Sequence, residues 1–265
     1  MLASNTTVLP GNDLSSLRLE HTHPTLAGDP KWYQAVLVDA VEISFALVLL
    51  LLSLPILLLV ALGIKATSRG PILYTQIRLG KNGQPYTLIK FRSMTVDSEK
   101  GGACWSLPGD PRVTLLGRFL RRTHLDELPQ LWNVLQRDMS LIGPRPERPE
   151  FVSSLETRLP RYRQRTAVLP GLTGLAQVQQ AADTDLESVR IKLAYDLWYI
   201  EHRSLSLDLS IFLATGLLLC GFSFATLRWL FRFPTSDAVQ QAYATSLLTA
   251  QQPSSPKLAA ALPGM

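Results

Sequence analysis

Residues 43–64 read ISFALVLLLLSLPILLLVALGI, without a single charged side chain. As a straight helix at 1.5 Å per residue the run would be roughly 33 Å long, enough to cross the core of a bilayer. Pro55 opens a second reading, because proline removes a backbone donor and clashes with the preceding turn. Two half-helices of roughly 15 Å, bent at Pro55, would reach about the bilayer midplane and return. Ser53 stands where its hydroxyl can satisfy a backbone group freed at such a bend. Both readings place a membrane beside whatever follows. Lys65, Arg69, Arg78 and Lys81 come soon after the run, whereas Lys31 stands before it among Asp29, Asp39 and Glu42. The positive-inside rule therefore assigns the downstream residues to the cytoplasm.

The 265 residues have room for one sizeable domain with appendages, and the formal charge of +5 favours anionic partners: nucleic acid, phosphorylated substrates or an acidic membrane face. No nucleic-acid-reading module is recognisable, so no nucleic acid partner is expected. Cys104 and Cys220 are the only cysteines and neither lies in a CxxC, which argues against a disulfide framework or a cysteine zinc site. Residues 1–30 are polar and lack the basic start and apolar centre of a signal peptide, so they read as a flexible leader. Residues 234–265, rich in Ser, Ala, Gln and Pro, read as a disordered tail.

Between these ends the pattern is mixed. ILYTQIRL (72–79) and PYTLIKFRSM (85–94) are rich in strand formers, and the Asn82-Gly83 pair between them predicts a β-hairpin. Residues 97–111 form a polar loop punctuated by Gly and Pro. A helical pattern begins at Leu115. After Pro149 a basic amphipathic helix is broken at Pro160, the loop LPGLTGLAQV (169–178) follows, and a long helix is predicted from Leu186 to Arg203. Residues 209–227 form a second uncharged run; Gly216 and Gly221 weaken it, and Trp229 with Arg228 and Arg232 suggests a segment lying in the membrane interface.

Residues 121–149, RRTHLDELPQLWNVLQRDMSLIGPRPERP, hold the candidate chemistry. Asp126 and Glu127 are adjacent, so on a helix they lie about 100° apart and cannot face each other across a substrate. One nucleophile with an adjacent assistant fits them better. With Asp126 as N-cap, Pro129 falls in the first turn, where its missing N–H costs nothing. Leu128, Leu131 and Leu135 then make an apolar stripe, with Gln130, Asn133 and Arg137 on the other side. An Asp cap followed by an acidic first-turn residue is also what many ordinary helices show. The surrounding cations favour a phosphate site: Arg121, Arg145, Arg148, Lys90 and Arg92, the pair at 145 and 148 each held extended by a following proline. The loop PGLTG can add backbone N–H groups in a nest.

Taken together, these motifs resemble the monotopic phosphoglycosyl transferases, also called bacterial sugar transferases or undecaprenyl-phosphate sugar phosphotransferases. The likeness covers roughly Lys31 to Asp208 and runs in register through the proline-broken apolar segment, GPILYTQIRLGKNGQPYTLIKFRSM, DPRVTLLGRFLRRTHLDELPQLWNVL, DMSLIGPRPE, LPGLTGLAQV and YDLWYIEHRSLSLDL. It implies an α+β, membrane-associated monotopic domain with a re-entrant helix bent at Pro55, a β-hairpin and amphipathic interfacial helices. It implies that Asp126 attacks the β-phosphate of a UDP-sugar, releasing UMP, and that polyprenyl phosphate then takes the phosphosugar, the first step of exopolysaccharide or other glycan assembly. Glu127 would assist, and Mg²⁺ held at Asp126 and Glu127 would be the cofactor. The implied location is the cytoplasmic face of a bacterial inner membrane, among its lipids. The chain departs from the family pattern at Ser53-Leu54-Pro55, where Ser-Pro is usual, and at Leu175 and Gln179-Gln180.

The expected organisation is a leader (1–30), a re-entrant membrane helix (31–66), a cytoplasmic catalytic domain (67–208), an apolar interfacial or membrane helix (209–233) and a tail (234–265). A non-enzymatic membrane adaptor would also explain the charge and the apolar runs, but it leaves the cation-ringed acidic pair without a role. No residue carries a one-to-one meaning for the sugar, so glucose, galactose and N-acetylated hexoses all fit. The sequence carries no signal for an oligomeric state.

Overall fold

The computed structural model describes residues 32–99 and 109–251, and from Val41 onward they form one compact unit. Helix α1 (Trp32–Thr67) contains the apolar run and Pro55. Its Leu47, Leu51, Leu52, Leu58, Leu59 and Leu62 are exposed, while Ala46, Ser53, Val60 and Ile64 are buried. A helix that is apolar all round, with only a narrow stripe against protein, belongs in lipid rather than in water. The helical assignment is continuous across Pro55 and does not separate into two elements there. Ser53 Oγ donates to the Leu50 carbonyl at 2.9 Å. That is one residue short of Leu51, whose carbonyl loses its helical partner at Pro55, so Ser53 does not fill the role expected of it.

Strands β1 (Leu73–Leu79) and β2 (Pro85–Phe91) pair antiparallel, with Tyr74 opposite Lys90 and Arg78 opposite Tyr86. Asn82 (φ 57°) and Gly83 (φ 75°) both take the left-handed conformation at the tip, which is why Asn-Gly stands there. Helix α2 (Leu115–Arg122) is capped by Thr114, whose hydroxyl accepts from Gly117 N at 2.9 Å. A 3₁₀ segment (Leu125–Gln130), the short helix α3 (Leu131–Leu135) and strand β3 (Ser140–Ile142) follow. Then come α4 (Pro149–Arg158), a second 3₁₀ segment (Tyr162–Ala167) and β4 (Gly171–Thr173).

Strand β4 pairs parallel with β3, so the PGLTG segment is a strand and not an anion-binding nest. Its glycine is set by close approach: a Cβ on Gly171 would lie 2.1 Å from Gly143 N. Helix α5 (Leu186–His202), opened by an Asp185–Ser188 capping box, carries the main core through Val189, Leu193, Tyr195 and Tyr199. Glu42 of α1 accepts from Ser140 Oγ and from Leu141 N (2.6 Å), which ties the apolar helix to β3.

Two expectations for the C-terminal part need correction. The uncharged run 209–227 is not one helix: α6 (Leu205–Leu219) and α7 (Phe224–Phe231) are separated at Gly221, which adopts φ 93°. The tail is also ordered as far as it is described, since α8 (Ser236–Gln251) packs on α5. Val239 and Tyr243 are buried, and Tyr243 Oη donates to the Pro160 carbonyl at 2.6 Å. A few well-placed apolar side chains outweigh a polar composition. The leader and residues 252–265 lie outside the described residues.

Candidate active site

The hairpin explains how one wall of the site is built. Side chains alternate along a strand, and the register puts Tyr74, Gln76 and Arg78 of β1 on the same face as Lys90 of β2. All four line a cleft of about 980 Å³. Asn133 fixes the opposite wall to this hairpin: its Nδ2 donates to the Thr87 carbonyl (2.8 Å) and its Oδ1 accepts from Ile89 N (3.1 Å). Asn133 is fully buried, so this residue, expected on a polar outer side, is the clamp that sets the acidic segment against β2.

The acidic pair sits differently from expectation. His124 (φ 54°) is the cap residue and turns the chain after α2, which leaves Asp126 inside the 3₁₀ segment and not at its N-cap. Among the described residues, none donates a hydrogen bond to the Asp126 carboxylate. It is 5 % exposed and lies just behind the cleft surface, between the lining residues Leu125 and Glu127. Burial and the neighbouring Glu127 push its pKa up, against Lys90, Arg121 and Arg145. Glu127 is held in place: the Arg145 guanidinium donates to both of its carboxylate oxygens, one of them at 3.0 Å. Burial by itself would raise Glu127, but the charge and bonding of Arg145 outweigh it and hold the carboxyl at about 2. Arg145 remains 41 % exposed, so it can meet a ligand without releasing Glu127.

The other expected cations divide into two groups. Lys90 faces the pair, and burial together with Arg78 lowers its pKa to about 8 despite Asp126 and Glu127. Arg121 lines the cleft, with Nε donating to Ser93 Oγ at 2.8 Å. Arg92 also lines the cleft but its guanidinium acts as a structural clasp: it lies just past the end of β2 and donates to the Arg69 carbonyl (2.7 Å) and to Ser68 O and Oγ (3.2 and 2.7 Å). Arg148 lines the same cleft and has the extended backbone expected before proline, but its guanidinium is engaged by Glu99 (2.9 Å) and Glu150 (3.3 Å). Pro55 and Ser53 are not part of the cleft lining.

Sequence reasoning missed what stands behind the arginine loop. Arg165 donates to the Arg145 carbonyl (2.9 Å) and to Asp196 (2.6 Å), and Arg78 donates to the Pro146 carbonyl (2.9 Å). Glu147 accepts from Lys192 at 2.6 Å; burial by itself would raise its pKa, but Lys192 and Arg165 outweigh it and hold the carboxyl at about 2. The only sequence signal was Glu147 itself, an acid placed among the arginines of GPRPERP. The far arm of the cleft is apolar, with Leu49, Leu172, Phe212, Leu218 and Phe224.

A cleft lined by both cations and apolar side chains, beside a lipid-type helix, is consistent with what the sequence comparison finds. The family model described as bacterial sugar transferase matches residues 33–221. The chain belongs to this family.

A UDP-N-acetylgalactosamine-undecaprenyl-phosphate N-acetylgalactosaminephosphotransferase of Aeromonas hydrophila is 39 % identical over 209 residues, 78 % of this chain and 49 % of the relative. A UDP-glucose:undecaprenyl-phosphate glucose-1-phosphate transferase of Caulobacter vibrioides is 40 % identical over 208 residues, 78 % of this chain and 76 % of the relative. An exopolysaccharide production protein PSS of Rhizobium leguminosarum bv. phaseoli is 42 % identical over 186 residues, 68 % and 93 % of the two chains. The chain thus spans about half the length of the Aeromonas relative and most of the other two.

Mg²⁺ was expected at Asp126 and Glu127. Among the described residues no group of three or more His, Cys, Asp or Glu side chains is placed to hold a metal ion. Carboxylates are suitable Mg²⁺ donors, and since both Glu127 oxygens also accept from Arg145, a Mg²⁺ at the pair would share that carboxylate with the guanidinium.

Proposed function

We propose that this chain transfers a sugar-1-phosphate from a UDP-sugar to polyprenyl phosphate, giving polyprenyl diphosphate-sugar and UMP, at the cytoplasmic face of a bacterial inner membrane. The observation that carries this reading is the contrast within the acidic pair: Glu127 is tied to Arg145, while Asp126 accepts no hydrogen bond from the described residues and has Lys90, Arg121 and Arg145 around it. A carboxylate without a fixed partner, ringed by cations, can act as a nucleophile toward a phosphate.

In the first step an Asp126 carboxylate oxygen forms a bond to the β-phosphorus. The bond from that phosphorus to the bridging oxygen breaks, and the electron pair leaves with UMP. In the second step a phosphate oxygen of the lipid attacks the same phosphorus and the aspartate–phosphorus bond breaks, restoring the carboxylate. For this attack the Asp126 side chain turns past Glu127 into the cleft. Lys90, Arg121 and Arg145 hold the phosphates, and Arg145 is oriented for this by Glu127. Mg²⁺, held by Asp126 and Glu127 with phosphate oxygens, would neutralise charge as the displacement proceeds. The apolar arm suits the isoprenoid chain, and a re-entrant α1 bent at Pro55 would let the lipid phosphate approach from the cytoplasmic leaflet. The product would open a lipid-linked glycan assembly sequence.

The reading is tested by UMP release from a panel of UDP-sugars, using purified membranes and polyprenyl phosphate. Release by the wild-type chain and none by Asp126→Asn is expected; full activity in Asp126→Asn would remove Asp126 from the role. Cysteine labelling at both ends of residues 43–64 tests the topology, and labelling on opposite membrane faces would mean a spanning helix.

A further inference from the structure

We propose that the donor sugar is read by a polar wall made of Glu147, Lys192, Asp183 and Gln180, and that Asp183 and Gln180 set which hexose is accepted. This inference rests on the phosphoglycosyl transfer reading above.

The cleft changes its electrostatic character along its length. Around Asp126 cations predominate, which suits phosphate. Beyond the arginine loop the lining becomes a cluster in which Lys192 Nζ bonds to both Glu147 (2.6 Å) and Asp183. Gln180 donates to the Ser188 carbonyl at 3.2 Å and lies 3.5 Å from Asp183 Oδ1. All four residues line the cleft. The side chains of Glu147, Lys192 and Asp183 are 15 %, 10 % and 18 % exposed, so they touch the cleft and are otherwise enclosed. Two carboxylates at this position repel a phosphate. They accept hydrogen bonds from the hydroxyls of a neutral ring, and the ammonium and amide between them supply donors. Groups held by their neighbours before the ligand arrives are the kind that discriminate between epimers.

The position also fits the reaction. Glu147 follows Arg145 by two residues, so their backbones are at most about 7 Å apart along the chain. In the proposal, the sugar carried by a phosphate at Arg145 lies on the Glu147 side of the cleft, which both residues line. Relatives that share this core are named for different sugars, N-acetylgalactosamine in one and glucose in another, which requires selectivity to lie in something other than the shared phosphate machinery. The loop carrying Gln180 and Asp183 is braced from outside that core. Arg228 of α7 donates to Gln179 Oε1 at 2.9 Å, and residue 228 lies beyond the matched stretch that ends at 221. Arg228 is thus a positioning residue for the loop.

The test measures kcat/KM for UMP release from UDP-glucose, UDP-galactose and their N-acetylated counterparts, with the full chain in lipid nanodiscs and polyprenyl phosphate as acceptor. Wild type is compared with Asp183→Asn, Gln180→Ala and Arg228→Gln. The proposal expects the ratio between the preferred donor and its C4 epimer or N-acetyl counterpart to shift by about tenfold or more in Asp183→Asn. Smaller shifts are expected in the other two variants, with KM for polyprenyl phosphate unchanged. Gln180→Ala keeps the test decisive where Asp183→Asn does not fold, since it leaves the Lys192 ion pairs in place. Equal losses on every donor, or unchanged ratios in both wall variants, would overturn the proposal while leaving the transfer reading intact. Failure of the wild-type chain to release UMP from any donor would overturn both.

Discussion

Two clusters of charge lie back to back across the arginine loop, and they are built on opposite principles. Behind the loop, acids and bases match: Arg165 meets Asp196, Lys192 meets Glu147 and Asp183, and Arg78 approaches Glu147. In front of it the matching stops. Glu127 takes Arg145, whereas the Asp126 carboxylate is bonded by no donor among the described residues, with Lys90, Arg121 and Arg145 near it. The rear cluster therefore holds the loop, whereas the front cluster leaves one carboxylate unbonded by the described residues. The nucleophile is distinguished here by its incomplete pairing, not by the number of charges around it.

The largest effect that would sharpen this contrast is loss of the nucleophile. Asp126→Asn should lower UMP release by on the order of 10⁴-fold or more while leaving the melting temperature close to wild type, since the change removes no hydrogen bond. Arg145→Ala comes next, with a loss of about 10²–10³-fold expected from removal of a phosphate-stabilising cation and release of Glu127. The rear cluster should behave in the reverse way. Arg165→Met leaves Asp196 buried and uncompensated and should cost about 3–5 kcal/mol of stability by denaturant titration. The folded fraction should keep much of its turnover. A variant at 165 that is stable but inactive would break the comparison.

Lys90 gives a pH signature. Its folded pKa is lowered to about 8, so it is charged below that pH and neutral above it. Attraction for the donor diphosphate is thus lost as pH rises, and kcat/KM should decline above about 8. In Lys90→Arg that alkaline decline should disappear, because guanidinium stays charged. An identical alkaline limb in both proteins would exclude Lys90 as its source. The smallest catalytic effect belongs to Arg92→Gln. It removes hydrogen bonds to Ser68 and Arg69 and should destabilise by about 1–3 kcal/mol with kcat within a few-fold of wild type.

Arg92 and Lys90 also show where sequence reading stops. Both belong to KFRSM and both looked like phosphate ligands, but β2 ends at Phe91 and the side chain of Arg92 turns to the end of α1. The register of the hairpin sets the face of Lys90, and nothing local says where α1 ends in space. The hairpin was legible because Asn82-Gly83 encodes its own turn. Helix α5 was legible from its periodicity, ending at His202 where Arg203 was expected. The β3–β4 pairing was hidden because it joins distant segments, and α8 was hidden because Val239 and Tyr243 provide an anchoring that composition does not report. The acidic pair was found, but its N-cap geometry was not, since the left-handed turn at His124 depends on how α2 meets β2.

The central claim is that Asp126 carries the phosphosugar between two displacements. Incubating the membrane-embedded chain with a UDP-sugar but no polyprenyl phosphate, then digesting it under acid-quenched conditions and weighing the peptides, addresses it directly. Stoichiometric UMP and a sugar-phosphate mass increment on the peptide containing Asp126 are expected, both absent in Asp126→Asn. UMP release that requires the lipid acceptor, with no adduct on any peptide, would contradict it.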